Sequence, residues 1–543
     1  MTGADLLIES LKAQGVRAVF GMPGTQNVPM YDSLLTCGGD IKHYLVRHEW
    51  SATKMADGFA RATGDVGVAF TVPGPGASNA STGIVQAFTD CVPVLLITGQ
   101  AAMPLLERST AKLFHGLDQR EFFKPITKWV GRAETADDVA RVVERAFRLM
   151  RSGRPAPVVL EIPMDVMMTK TNSSIPPFVE KERLAPSPDD IKQVASALAG
   201  VKRPVILAGR AVVTAGACDE LRLLAERLNV PVATTRAAKG LLPEDHPLAV
   251  SHMVGFMARK VVDEADCTLA VGVRFTQLDT MSWNANYPRP TIQLDPDSDE
   301  IGSEYPCDVS VVGDLKLVLQ GLLDECDVDG GNGWDTVLSN IRAENTTRPV
   351  PMLLPALRDV LNRDAIVSVD VNSLGYRTFA EFPVYDPHNF LYPCHAVSLG
   401  HSLPAALGAK AAFPDRQVVC FIGDGGFGFG GMEMATAAQY GLNVVFVVVN
   451  DGALTAIKGV QQEMCDGRVI DTELTNPDFV RFAESFGVVG RRVSTGAGAF
   501  KDALQDALAA DGPVLLEVPM HGCQEELISG IPWMQPEAGL VTK

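Results

Sequence analysis

Two acidic residues, each set just beyond an apolar run, carry the sharpest chemical signal in the chain. Asp424 follows Val418-Val-Cys-Phe-Ile422 within Gly423-Asp-Gly-Gly-Phe-Gly428, and Asp451 follows the run from Asn443 to Val449 within Asn450-Asp-Gly452. The pattern predicts strand, glycine turn, helix around Met432 to Tyr440 stopped by Gly441, and strand. Both carboxylates then stand past the C-terminal ends of their strands, where open parallel sheets bind ligands. Two converging carboxylates repel unless a cation lies between them. Oxygen ligands favour Mg²⁺, which one or two carboxylates hold while phosphate oxygens and water complete the shell. Gly423-x-Gly425-x-x-Gly428, with Asp451 23 residues further on, also fits a dinucleotide fingerprint and hence an NAD-dependent dehydrogenase. Asp424 speaks against that reading, because it would set a carboxylate beside a bare pyrophosphate at a helix N-terminus. A Mg²⁺-bridged diphosphate removes the conflict. The alternative without chemistry is a pair of ordinary turns.

The elements that must position these groups alternate between strand and helix. A helix is expected from Ala4 to Gln14, then a strand from Val16 to Phe20 and the loop Gly21-Met-Pro23-Gly24. A second strand, Ile41 to Val46, runs into a helix with Ala52, Met55, Ala56, Phe59 and Ala60 at helical spacing, and strands follow at Gly67 to Val72 and Val92 to Thr98. Further strands are read at 204–209, 268–273, 291–295, 308–313, 365–370, 417–422, 443–449 and 513–519. Buried β-branched strands separated by helices predict doubly wound α/β domains with parallel sheets. Pro/Ser/Thr-rich and Asp/Gly-rich stretches divide them: 1–170, a linker 171–188, a central domain 189–325, a linker 326–350, and 351–543. Pro157-Val-Val-Leu-Glu-Ile-Pro163 echoes Pro513-Val-Leu-Leu-Glu-Val-Pro519, which makes the outer domains candidate structural relatives.

Composition narrows the partners. The 543 residues suit three domains, and 47 Lys and Arg against 65 Asp and Glu give a formal charge of −18, which repels nucleic acid and anionic lipid. The longest apolar runs, such as Val444 to Val449, fall far short of the roughly 20 residues that a bilayer helix needs. The N-terminus lacks a signal-peptide pattern, and ten cysteines lie singly, without zinc spacing. A cytoplasmic protein with small-molecule substrates is expected.

Gly-Asp-Gly followed one strand later by Asn-Asp resembles the cofactor motif of the thiamine diphosphate family that holds acetolactate synthase, benzoylformate decarboxylase, pyruvate decarboxylase and benzaldehyde lyase. The resemblance covers nearly the whole chain. It extends to Phe20-Gly-Met-Pro-Gly-Thr25, Arg47-His-Glu49, Pro73-Gly-Pro-Gly-Ala-Ser-Asn79, Pro125-Ile-Thr-Lys-Trp129 and Leu403-Pro-Ala-Ala-Leu-Gly408. It implies three domains that bind the cofactor's pyrimidine, serve as a central unit, and bind its diphosphate.

The resemblance also implies roles. Asp424, Asp451 and the carbonyl of Ala453 bind Mg²⁺, with Asp451 standing where many members have Asn; Gly423, Gly425, Gly426, Asn450 and Leu454 belong with the diphosphate, and Pro23, Asn79 and Val397 with the rest of the cofactor. Glu49 matches the glutamate facing N1′ of the aminopyrimidine. Proton sharing there favours the 4′-imino tautomer, whose nitrogen removes the thiazolium C2 proton. A desolvated glutamate suits that task. Leu399 sits where the family keeps an apolar wedge that bends the cofactor, Thr25 where relatives meet substrate, and His115 and Gln119 in the loop that supplies a polar group.

The chain departs from acetolactate synthases at His115, usually Gln, at Leu399, usually Met, and at Leu278, usually basic; the flavin of the anabolic enzymes is therefore not expected. The expected activity is acetolactate synthase-like decarboxylation of a 2-oxo acid with ligation to a second carbonyl; the alternative is a decarboxylase releasing an aldehyde. Val397-Ser-Leu-Gly400-His-Ser402-Leu-Pro404 resembles a hydrolase nucleophile elbow but ends in Pro404 instead of Gly. The resemblance implies a homodimer or homotetramer with its sites at the subunit interface.

Overall fold

The computed structural model describes residues 1–326, 333–348, 350–494, 496–523 and 527. Three runs of parallel pairing organise them. In the first domain β1 (Ala18–Gly21), β2 (Lys42–Leu45), β3 (Gly67–Thr71), β4 (Val94–Gln100), β5 (Trp129–Arg132) and β6 (Val158–Pro163) lie in the order β2-β1-β3-β4-β6-β5. The central sheet holds β7 (Pro204–Ala208), β8 (Val232–Thr234), β9 (Ala249–His252), β10 (Cys267–Val271), β11 (Thr291–Asp295) and β12 (Val309–Val312), ordered β12-β11-β10-β7-β8-β9. The third holds β13 (Ile366–Val369), β14 (Phe390–Leu391), β15 (Val418–Gly423), β16 (Val444–Asn450), β17 (Val489–Arg492) and β18 (Val514–Pro519), ordered β14-β13-β15-β16-β18-β17. The Val- and Ile-rich central strands are buried along their whole length, as parallel sheets covered on both faces require.

The outer sheets share one strand order, with the echoing β6 and β18 in equivalent places. The central sheet has instead the order that the dinucleotide fold makes familiar. The Gly423–Gly428 reading therefore pointed at the wrong domain for such a fold.

One apolar core runs from the first domain into the third, joining Phe59 and Leu96 to Leu407 and Phe446, whereas the central domain has a core of its own. The join is made by two helices, Glu49–Thr63 and Ser402–Ala412, at backbone contact. A Cβ on Gly58 would stand 2.1 Å from the carbonyl oxygen of Ala405, and one on Gly408 1.9 Å from that of Met55. Glycine is required at both positions by proximity, not by dihedral angle.

The expected linkers need revision. Part of 326–350 is the helix Trp334–Asn345, whose Trp334 is buried in the central core and donates from its indole to the carbonyl of Pro204 at 3.0 Å. Residues 327–332 and 349 of that stretch, and 524–526 and 528–543 of the third domain, lie outside the described residues. The 171–188 stretch carries no regular element up to the helix Pro188–Ala199, yet Lys181 and Arg183 tie it to Thr214 and Asp314 of the central domain.

Candidate active site

The third domain builds a cleft at the C-terminal edge of β13, β15 and β16. Register pairs Gly423 with Val449, so the residues that follow, Asp424 and the Asn450-Asp451 pair, emerge side by side. Asp424 opens the short helix Asp424–Gly430, which corrects the expected glycine turn: the glycines sit in a helical first turn whose backbone faces the cleft. Here they serve close approach. A Cβ on Gly425 would stand 2.6 Å from Leu454, and one on Gly426 2.8 Å from Asp370. The cleft is lined by Asn372, Val397, Leu399, Gly423, Asp424, Gly425, Gly426, Asp451, Ala453 and Leu454 among others.

Its electrostatics call for a cation. Burial raises the Asp424 carboxyl above the ordinary aspartate range and the charge of Asp451 raises it further, against hydrogen bonds from Asn476 and the amides of Gly425 and Gly452. Burial likewise raises Asp451, against the Thr455 hydroxyl at 2.6 Å and the Ala453 amide. A divalent ion between the oxygens would oppose both shifts. Among the described residues no cluster of three or more His, Cys, Asp or Glu side chains is arranged to hold a metal. Two carboxylates with phosphate and water fit Mg²⁺ chemistry, and the glycine cradle fits a diphosphate. Sequence reasoning missed Asn476, which donates to Asp424 at 2.7 Å and to Asn450 at 3.1 Å. It lies 52 residues beyond Asp424 in an irregular Thr-Asn-Pro stretch, and nothing local marks it.

A second group gathers at the C-terminal edge of the first sheet. Glu49 opens its helix, where a carboxylate complements the helix dipole, and the ring of His48 accepts from the Trp50 amide as cap. Asn79 donates to Glu49 at 3.0 Å, and the other carboxylate oxygen lies against Gly76, where a Cβ would stand 3.2 Å away. Thr25 is exposed in the turn Thr25–Asn27 after Pro23. His115 stands beside the same edge: a Cβ on Gly74 would meet its carbonyl, and its ring pairs with Gln26 at 3.0 Å. None of Glu49, Thr25, Asn79 or His115 lines the third-domain cleft.

Matching family models span the chain: "Thiamine pyrophosphate enzyme, N-terminal TPP binding domain" over residues 1–122, the central domain of the same family over 191–322, and its C-terminal TPP binding domain over 374–518. The chain belongs to the thiamine pyrophosphate enzyme family. It is 34% identical to a probable acetolactate synthase large subunit of Methanocaldococcus jannaschii, over 95% of this chain and 92% of the relative. It is 33% identical to an acetolactate synthase of Arthrospira platensis (95% and 94%) and 33% identical to the acetolactate synthase isozyme 3 large subunit of Escherichia coli K12 (91% and 90%). It is thus a thiamine diphosphate-dependent enzyme of the decarboxylase and carboligase class, and the dehydrogenase reading of the glycine motif is set aside.

One expectation fails within this enzyme. Gln119 does not face a substrate: it is buried inside the first domain, accepting from Thr98 at 2.8 Å and donating to Glu161 at 3.0 Å. The polar neighbour of His115 is Gln26, next to Thr25 in the motif already singled out. Ser402, in the elbow-like motif that Pro404 had already set aside, offers no exposed hydroxyl. It is fully buried at the start of a helix, with its amide on Asp370.

Proposed function

We propose that this enzyme binds thiamine diphosphate with Mg²⁺ and decarboxylates a 2-oxo acid, joining the retained fragment to a second carbonyl in the manner of acetolactate synthases. The carrying observation is the convergence of Asp424 and Asp451 around the Gly425–Gly426 cradle. When bound, the cofactor supplies a carbanion equivalent that adds to a carbonyl and stores the electron pair released as CO₂ departs. Asp424, Asp451 and the Ala453 carbonyl would hold the cation; Gly423, Gly425, Gly426, Asn450 and Leu454 would hold the diphosphate; Val397 and Leu399, which line the same cleft, would support the cofactor's rings. Glu49, oriented by Asn79, would exchange a proton with the pyrimidine, while Pro23, Thr25 and His115 would complete the wall that meets substrate. Because the Glu49 group does not line its own chain's cleft, the reading requires at least a dimer, with one chain lending Glu49 to its partner.

Flavin stays outside the proposed cofactor set. The crevice at the strand-order switch between β7 and β10 has Arg154 of the first domain reaching across it to Asp295 at 2.7 Å.

The test removes divalent metal by chelation and restores Mg²⁺ and thiamine diphosphate separately and together. CO₂ release and carbon products are followed on a panel of 2-oxo acids with and without aldehydes and ketones. Activity only with both additions, and ligated products, support the reading; turnover that survives chelation and gel filtration overturns it. Aldehyde alone would assign the simple decarboxylase. Glu49→Gln should keep the fold and lower kcat by about 10² to 10⁴-fold, the usual worth of a placed acid–base group.

A further inference from the structure

Five residues into the helix that begins at Glu49 stands Lys54, a lysine with no solvent-exposed surface. Its ammonium lies 3.9 Å above the ring centre of Trp50 and donates to the hydroxyl of Ser398 at 2.9 Å and the carbonyl of Leu399 at 3.4 Å. Burying a cation is costly unless it is partnered. Burial lowers this ammonium to about 7 despite the opposing charges of Asp370 and Asp57. His401, fully buried at the start of the next helix, is the other titratable neighbour that feels it.

The segment it grips is strained. Val397 has φ 51° and Gly400 φ 73°, both left-handed, and Val397 is β-branched. The third domain holds one end, where the Gly400 amide donates to Asp370 at 2.9 Å. The first domain holds the other: Gln86 accepts from the amide and the hydroxyl of Ser398 at 3.2 and 3.1 Å, and Lys54 adds its two donors. Leu399, between these anchors, lines the cleft.

We propose that Lys54 is a positioning residue, which sets the height of Leu399 beneath the cofactor by holding the backbone of the 398–399 step from the first domain. This rests on the proposed role of Leu399 as the wedge that bends the cofactor. If Leu399 is that wedge, a loop that settles lower should lose turnover while the diphosphate anchor keeps its affinity.

The experiment uses the full chain, loaded with Mg²⁺ and thiamine diphosphate, as Lys54→Met, Ser398→Ala, the double variant and Leu399→Ala. Four quantities are read: kcat, cofactor KM, the near-ultraviolet circular dichroism of the bound aminopyrimidine, and amide exchange of residues 397–400 in the apoenzyme. Lys54→Met should lower kcat at least about tenfold with cofactor KM within about threefold, weaken the dichroic signal and speed the exchange. Ser398→Ala should do the same in smaller measure, and the double variant should be no worse than Lys54→Met, because both act through one loop. Unchanged kcat in Lys54→Met, or strictly additive losses, overturns the proposal. Should Lys54→Met fail to fold, Ser398→Ala decides alone, and unchanged kcat and exchange there overturn it. Leu399→Ala separates the two readings. If it leaves kcat and dichroism intact, the wedge itself is wrong; if it lowers both while Lys54→Met does not, only the role of Lys54 falls.

Discussion

At the scale of single residues, the site is a contest between burial and charge. Burial raises both Asp424 and Asp451 above the ordinary carboxylate range, so protons would compete for the same oxygens with the Mg²⁺ proposed to bind there. Magnesium affinity should therefore fall as pH drops from neutral toward those raised values, with proton release on binding. Calorimetry with Mg²⁺ and thiamine diphosphate in buffers of differing ionisation enthalpy checks this, and a pH-independent affinity contradicts it. Asn476 braces Asp424 and Asn450 from outside the ligand set, and Asn476→Ala should weaken metal binding by roughly 10 to 100-fold, as losses of outer partners do. Asp424 and Asp451 were legible in the sequence because strand ends and glycines mark them locally. Asn476 was not, since its role exists only through a contact across the fold. Gln119 shows the converse: a polar residue in a suggestive loop was drawn inward by Thr98 and Glu161, two partners that no local pattern reveals.

At the scale of elements, long apolar runs were read well and short or exposed ones poorly. Strand β11 falls where it was expected and β15 and β16 within a residue, because long runs of buried, largely β-branched positions, five of seven in β16, leave little ambiguity of period. Strands of three, two and four residues at Val232–Thr234, Phe390–Leu391 and Val489–Arg492 have too little pattern and owe their pairing to neighbours already in place. The pair Glu49–Thr63 and Ser402–Ala412 illustrates a constraint that sequence shows only as scattered glycines. Gly408→Ala drives a methyl into the Met55 carbonyl and should cost about 1 to 3 kcal/mol or more, since two packed helices cannot part locally. Thermal unfolding of the variant measures it; a midpoint within a degree of the parent would show that the helices do yield.

At the scale of the whole molecule, the two halves of the site belong to different sheets, and a mixing experiment tells whether they come from different chains. Glu49→Gln and Asp424→Asn proteins, each inactive, should regain up to about a quarter of wild-type activity when unfolded, mixed equally and refolded. Half of the resulting dimers are mixed, and each carries one intact site out of two. Complete absence of recovery, with mixed dimers shown to form, places the site within one chain. A second test concerns the junction of the three domains, where His395 of the third lies 2.6 Å from Asp90 of the first and 3.5 Å from Asp279 of the central domain. Burial would lower this imidazole, but the adjacent carboxylates of Asp279 and Asp90 prevail and raise it to about 9, against 6.5 for a free side chain. A raised value means that the folded state holds the proton more tightly. The stabilisation is complete below about pH 6.5 and lost as pH climbs through about 9. Unfolding temperature should decline across that window, and His395→Gln should flatten the decline. The backbone-to-backbone seam between Gly58 and Ala405 has a last consequence, for motion. With no side chains between them to act as lubricant, the first and third domains cannot shear or hinge along that seam, so reactants must enter and leave through movements of loops remote from it.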